Sequence, residues 1–326
     1  EMSASLVGSE MCIRDRYKHA GWIGGKGIGI QGLSSNAIHS LLFPLPPLAE
    51  QYRIVDAIVT LQPYTDAYAD VESTLDILNT AFPERLKKSI LQEAVQGKLV
   101  PQDPSDEPAE ALLERIRAEK QRLVKEGKIK KDKHESVIFR RDNSHYEKLN
   151  GVERCIDDEL PFEIPPQWCW IRFESTITLL SGTDFAPDEY NSAGKGIAYI
   201  TGASNIVDSQ ILVNRWTETP RQIAHAGDVL LVCKGSGYGK TVICNIAQAH
   251  IARQIMAVQK SDLLDMQYVK LFLDSSFDLL KAKGQGVIPG IDRTSVLHLL
   301  FPLPPLAEQH RIVQRIEELL PLVKGL

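Results

Sequence analysis

Apolar residues recur every three or four positions from Ile54 to Phe82. Ile54, Val55, Ile58 and Leu61 open the series; Leu75, Leu78 and Phe82 close it. That period predicts a long amphipathic helix, with Pro63 as the place for a kink. A second helix is predicted over 83–96, its face marked by Leu86, Ile90, Leu91 and Val95, with Gly97 as the stop. Residues 101–108 read as a polar, proline-rich connector. Residues 109–125 read as another helix with Leu112, Leu113, Ile116 and Leu123 apolar and a solvated charged face. The charged stretch 128–148 reads as a linker. From Leu160 the texture changes, with Trp168 and Trp170 alternating around Cys169. Short β-like runs at 170–173, 176–180, 197–200, 211–213, 228–233, 241–246 and 255–259 are separated by Gly- and Ser-rich turns. A helix is predicted over 265–283. Helices followed by a mixed α/β module place the chain in the α+β class.

One stretch occurs twice. Phe43–Val55 reads FPLPPLAEQYRIV and Phe301–Val313 reads FPLPPLAEQHRIV, differing only at Tyr52 and His310. The spacing is far too long for a solenoid, so the repeat marks two large modules that end in the same device. The prolines force an extended approach, because a residue before proline avoids the α region. The last proline of each cluster suits the first helical turn, and Glu50 and Glu308 then complement the helix dipole.

Composition narrows the classes. The chain has 326 residues, 43% of them hydrophobic, which is enough for a core without metal or disulfide staples. No apolar run is long enough for a membrane span and no secretory leader is visible, so a cytoplasmic location without membrane attachment is expected. The five cysteines are scattered with no C-x-x-C pair, which argues against a disulfide framework or zinc site. Net charge is −5, so any nucleic-acid contact must rest on a local patch. Between Glu110 and Asn150, twelve Lys/Arg stand against eight Asp/Glu.

Two glycine-rich stretches resemble nucleotide sites. In GSGYGKT (Gly235–Thr241) the glycine that a phosphate-binding P-loop requires at its first position is replaced by Lys234, and the stretch after it reads as strand, not helix. A tight turn carrying Lys234, Ser236, Tyr238 and Lys240 fits DNA contact better: glycines let the backbone approach and lysines pair with phosphates. An ordinary hairpin turn is the alternative. GIGIQG (Gly27–Gly32) satisfies G-x-G-x-x-G without the flanking strand and helix, and its repeat partner QGVIPG (Gln285–Gly290) does not keep the pattern. Tyr64, Tyr68 and Phe82 could form an aromatic stripe, but helix core is the simpler reading. No methyltransferase, metalloprotease, serine-hydrolase or nuclease motif is present, so no catalytic residue, metal or cofactor is expected.

The elbow repeat resembles the conserved helix entry of type I restriction–modification specificity subunits. Three further stretches resemble that family in its order: LKKSILQEAVQGKLVPQDPSDEPAEALLERIRAEK (86–120), LPFEIPPQWCWIRFESTITLLSGTDF (160–185) and GDVLLVCKGSGYGKTVI (227–243). The resemblance implies a mixed α/β target-recognition domain plus long amphipathic helices forming an antiparallel coiled-coil spacer. In this frame residues 1–16 have no counterpart and read as a non-native segment. Residues 17–42 are the remnant of a first recognition domain, 43–100 the first conserved helical region and 101–159 a helical and charged linker. Residues 160–305 are a target-recognition domain and 306–326 the start of the second conserved helix. It also implies double-stranded DNA, a methyltransferase subunit and a restriction subunit as partners, with self-association through the helices possible. Thr183, Asp184, Tyr190, Thr201, Asn205 and Arg253 are loop candidates for DNA contact, and Gln285 and Arg293 flank a loop that the resemblance places near DNA. Reading one DNA half-site, serving only as an assembly module for the methyltransferase subunit, and binding a nucleotide as an enzyme are the competing functions.

Overall fold

The computed structural model describes residues 44–129, 136–207, 209–235, 237–283 and 290–324. The stretches read as 1–16 and 17–42, together with Cys12, Ser236, Gln285 and the GIGIQG run, lie outside the described residues. The chain divides into two units, residues 1–76 and 77–326. In the first, Pro44–Pro47 lead without regular structure into Leu48, the start of helix α1 (Leu48–Val95), whose last residues belong to the second. Gln51 Nε2 donates to the Pro46 carbonyl at 2.8 Å and closes the elbow. Helix α1 is one continuous element through Pro63 and Pro83, where the sequence predicted a kink and two helices. Each proline leaves one carbonyl without its helical donor, at Val59 and Asn79. Both residues are exposed, so neither carbonyl is buried without a partner. Tyr52, Val55, Tyr64 and Tyr68 are exposed along this helix, and so is Phe82, so the core reading of Tyr64, Tyr68 and Phe82 does not hold.

In the second unit, Leu91, Ala94 and Val95 at the end of α1 bury with Leu112, Leu113 and Ile116 of α2 (Ala109–Lys125). The stretch 128–148, read as a linker, instead supplies two strands of an antiparallel meander. Its strands are β1 (Ser136–Arg141), β2 (Ser144–Leu149) and β3 (Val152–Cys155). Two-residue turns join them: Asp142–Asn143 and Asn150–Gly151 all have positive φ, the conformation that matches strand twist in a hairpin. The charged side chains mislead because they pair inward. Glu147 on β2 is buried and holds the guanidinium of Arg172 through two 2.8 Å bonds, with Arg154 and Ser136 adding more.

The strands that follow are β4 (Cys169–Arg172), β5 (Leu179–Ser181), β6 (Ile197–Ile200), β7 (Ile206–Val207), β8 (Gln210–Ile211), β9 (Trp216–Thr217) and β10 (Ile223–His225). After them come β11 (Val229–Val232), β12 (Thr241–Ile243), β13 (Gln248–Ile251) and β14 (Ile255–Val258). They form two four-stranded sheets, ordered β12-β11-β14-β5 and β10-β13-β6-β9. Strand β11 is buried on both faces, as a run of apolar residues demands. Alternation sends Leu230 and Val232 into a core shared with Ile200, Ala249 and Ile251 of the other sheet, and Val229 and Leu231 toward the helices. The predicted helix over 265–283 is two: α3 (Met266–Ser275), capped by Asp265, and α4 (Phe277–Lys283), parted at Ser276.

Helix α5 (Arg293–Leu297) precedes β15 (Leu300–Leu303), which pairs with β4 so that Pro302 faces Trp170. The second elbow is therefore an edge strand, a position that tolerates proline, followed by α6 (Leu306–Lys324). Gln309 repeats the bond of Gln51, donating to Pro304 O at 3.0 Å. This copy is buried. Glu308 accepts from Trp168 Nε1 at 2.8 Å and from Gln102 Nε2, and burial pushes its carboxyl above the usual range. Gln309 Oε1 accepts the Asp265 amide at 3.0 Å, and Arg311 grips Asp106 at 2.6 Å. The fold class is α+β, with sheets and helices in one unit. No helix among the described residues is long and apolar enough to cross a membrane.

Candidate nucleic-acid interface

The β11–β12 hairpin carries the turn 233–240. It springs from buried Cys233, whose thiol burial pushes up to about 12. The Cys233 amide donates to Gln254 O at 2.7 Å and its carbonyl accepts from the Ile291 amide at 2.8 Å. The turn is thus clamped between the β13–β14 tip and the stretch before α5. Gly235 and Gly239 have φ near +90°, where a side chain is strained. A Cβ on Gly239 would stand 1.9 Å from the Phe277 ring, and Tyr238 packs edge-on against the same ring at 5.6 Å. A Cβ on Gly237 would meet Ala203 at 2.3 Å. Close backbone approach therefore docks the turn onto both α4 and the 202–205 loop. Strand β12 follows the turn directly, so no helix N-terminus exists there to hold a nucleotide phosphate.

Neighbouring loops meet at the same edge. Gly182 and Thr183 bond to the carbonyls of Ile255 and Ile251, and Ala252 bonds to Ile200 O. The Gln254 side chain lies beside Gly202 and Gly235. Lys234 forms a bridge to Gly290. The loops around 182, 202, 235, 253 and 291 consequently form one contiguous rim.

Along that rim the expected residues differ in availability. Lys234 and Lys240 are exposed with no carboxylate partner among the described residues. Lys240 borders a cleft of about 360 Å³. Lys87, Lys88 and Lys270 line the same cleft, Lys88 paired with Asp278 and Lys270 with Asp274. Arg253 is exposed but ion-paired to Asp184 at 2.6 Å. Arg293 donates to Leu179 O at 2.7 Å and Ser181 Oγ at 3.1 Å, pinning β5. Tyr238 is half-buried against Phe277. Asn205 is fully buried: it accepts from Thr201 and donates to Leu212 O and Asn214, so it braces the loop and is not a surface contact. Thr183 and Thr201 are half-buried.

An aromatic cluster beneath the rim was not foreseen. Phe185, Tyr190, Tyr199 and His250 have neighbouring ring centroids 4.1–5.5 Å apart. His250 is buried; its Nδ1 accepts from the amides of Arg221 and Gln222, and Nε2 reaches Thr183 O at 2.8 Å. Those acceptor and donor roles fix the neutral tautomer, and burial holds its pKa below the ordinary value. Arg221 lies over Phe185 and Arg215 over Tyr190, each at 5.1 Å. No periodic signal marks these residues, since they come from four separate loops and strand ends.

No protein-family model matches the chain. Among curated proteins it is 32% identical over 269 residues to the type I restriction enzyme EcoAI specificity subunit of Escherichia coli, covering 78% of this chain and 43% of that one. The EcoEI specificity subunit of the same organism is 31% identical over 258 residues, covering 73% and 39%. A chain from a structure of type I restriction–modification complex assembly and conformational transition shares the fold. It superposes with a TM-score of 0.51 at 20% identity over 97% of this chain and 62% of its own length. A mixed α/β module with helices that leave repeated proline elbows, together with these relatives, defines the class as the specificity components of type I restriction systems. The chain belongs to the type I restriction enzyme specificity subunits. It spans about four tenths of the length of the curated relatives it matches.

Proposed function

We propose that this chain reads one half-site of a bipartite DNA sequence and holds the methyltransferase and restriction subunits, which do the chemistry. The observation that carries this reading is the rim itself. Five loops converge there, and glycines permit close backbone approach around exposed Lys234 and Lys240. Lysines there neutralise phosphates and set register, while other rim side chains face base edges. The long helix α1, at 1.5 Å rise per residue, serves as spacer and as the docking face for partner subunits or a second copy. The work is done on cytoplasmic DNA.

The test is selection from a randomised duplex library by the purified chain, with and without a cognate methyltransferase subunit, at moderate salt. Enrichment of one short motif is the expected result, and two motifs at fixed spacing would identify a dimeric reader. Retention without enrichment sinks the reading and leaves an assembly module. The double variant Lys234→Glu/Lys240→Glu should weaken binding to all duplexes alike and flatten the dependence of affinity on salt by about one to two phosphate contacts.

A further inference from the structure

We infer that Arg215 is a sequence-reading side chain that recognises a guanine edge in the major groove, an inference that rests on the DNA-reading function proposed above. The module 160–305 contains five arginines. Four are committed within the protein. Arg172 is bound by Glu147 and Glu159, Arg221 by Glu189, Arg253 by Asp184, and Arg293 by the Leu179 carbonyl and Ser181 hydroxyl. Arg215 is exposed and its guanidinium has no carboxylate or carbonyl partner among the described residues. It is nevertheless held, with its guanidinium carbon 5.1 Å from the centre of the Tyr190 ring.

The platform beneath it is anchored at each step. Tyr190 packs on Tyr199 with centroids 5.5 Å apart, and the Tyr199 amide donates to the Arg215 carbonyl at 2.8 Å. Tyr199 packs in turn on Phe185, which clusters with Ala252 beside the Asp184–Arg253 pair on the rim. Arg215 therefore stands at the border of the rim, its backbone hydrogen-bonded to Tyr199 and its guanidinium over Tyr190. A guanidinium over an aromatic ring keeps its N–H edge open while the ring limits its swing. Guanine presents two acceptors, O6 and N7, side by side in the major groove, and a forked donor matches both. The lysines of the rim, flexible and compact in charge, suit phosphates; a stacked arginine with a free fork suits a base edge.

The test compares the unsubstituted full chain with Arg215→Ala, Arg215→Gln and Tyr190→Phe. Each is assayed for binding to the library-enriched duplex, to single G→A changes within it, and to scrambled DNA across a salt series. Arg215 is exposed and makes no ion pair among the described residues, so thermal midpoints should match. The expected result is that both Arg215 variants lose roughly ten- to hundredfold of the preference for guanine at one position. Their affinity for scrambled DNA and its salt slope should be unchanged, and Tyr190→Phe, which keeps the ring, should keep the preference. Arg215 variants that preserve every guanine preference overturn the assignment. So does uniform weakening on all duplexes with a salt slope shallower by about one, which would identify a phosphate contact. If the unsubstituted chain enriches no motif, the half-site reading itself fails and the Arg215 assignment fails with it. Enrichment that survives loss of Arg215 removes only the latter.

Discussion

Glu147 carries its charge inside the protein. Bonded to Arg172, Ser136 and Arg154, its carboxyl is held at about 2 against an ordinary 4.5. A carboxylate with a depressed pKa adds stability that is complete above the ordinary value and is lost as pH falls through the folded one. The window here is about pH 4.5 down to pH 2, and a shift of this size corresponds to about 3 kcal/mol. Glu147→Gln should therefore lower stability by about 3 kcal/mol at pH 7, measured by urea unfolding. The gap between variant and parent should close as pH approaches 2. A constant gap over that range would mean that the pair contributes packing and not charge. The sequence showed the charges of this stretch but not their pairing, since Glu147 meets Arg172 from a distant strand and nothing local distinguishes it from a solvated acid.

Among the elements, the β11–β12 hairpin depends most on a single position. Gly239→Ala puts a methyl into the Phe277 ring at a φ of +90°. The expected cost is about 3 kcal/mol from strain and overpacking together, with weaker DNA binding as the turn is displaced. Unchanged unfolding would show that the α4 contact yields freely. How far such elements were legible depended on length and period. Helix α2, strands β11 and β14 and the proline elbows announced themselves by apolar runs or repetition. Strands β9 and β10, of two and three residues, are too short to show a period. The meander β1–β3 did leave a signal in its Asp-Asn and Asn-Gly turns, eight residues apart, which outranks the charge pattern that led to a linker. The rim loops around 182, 202 and 235 were legible as glycine-containing turns, whereas the one around 253 has no glycine. Asn205 could not be told from its neighbours, because a buried brace and a base reader have the same side chain.

At the scale of the whole molecule, one sequence serves in two settings. The elbow glutamines make the same bond to a proline carbonyl, yet Gln309 is buried and also receives the Asp265 amide, while Gln51 is only half-buried. Gln309→Ala should cost about 2 kcal/mol by removing a buried side chain and leaving the half-buried Asp265 amide without its acceptor, and Gln51→Ala less than about 1 kcal/mol. Paired thermal melts check this, and equal losses would contradict the difference in setting. The two-faced burial of β11 and β14 has a consequence for inheritance. Stability resides in residues that alternate between two cores, whereas the rim side chains sit at the tips beyond them. Natural variation can then rewrite the tips while the core stays unaltered. On the DNA-reading function proposed above, such a chain acquires a new preference by a handful of exchanges without passing through an unfolded intermediate.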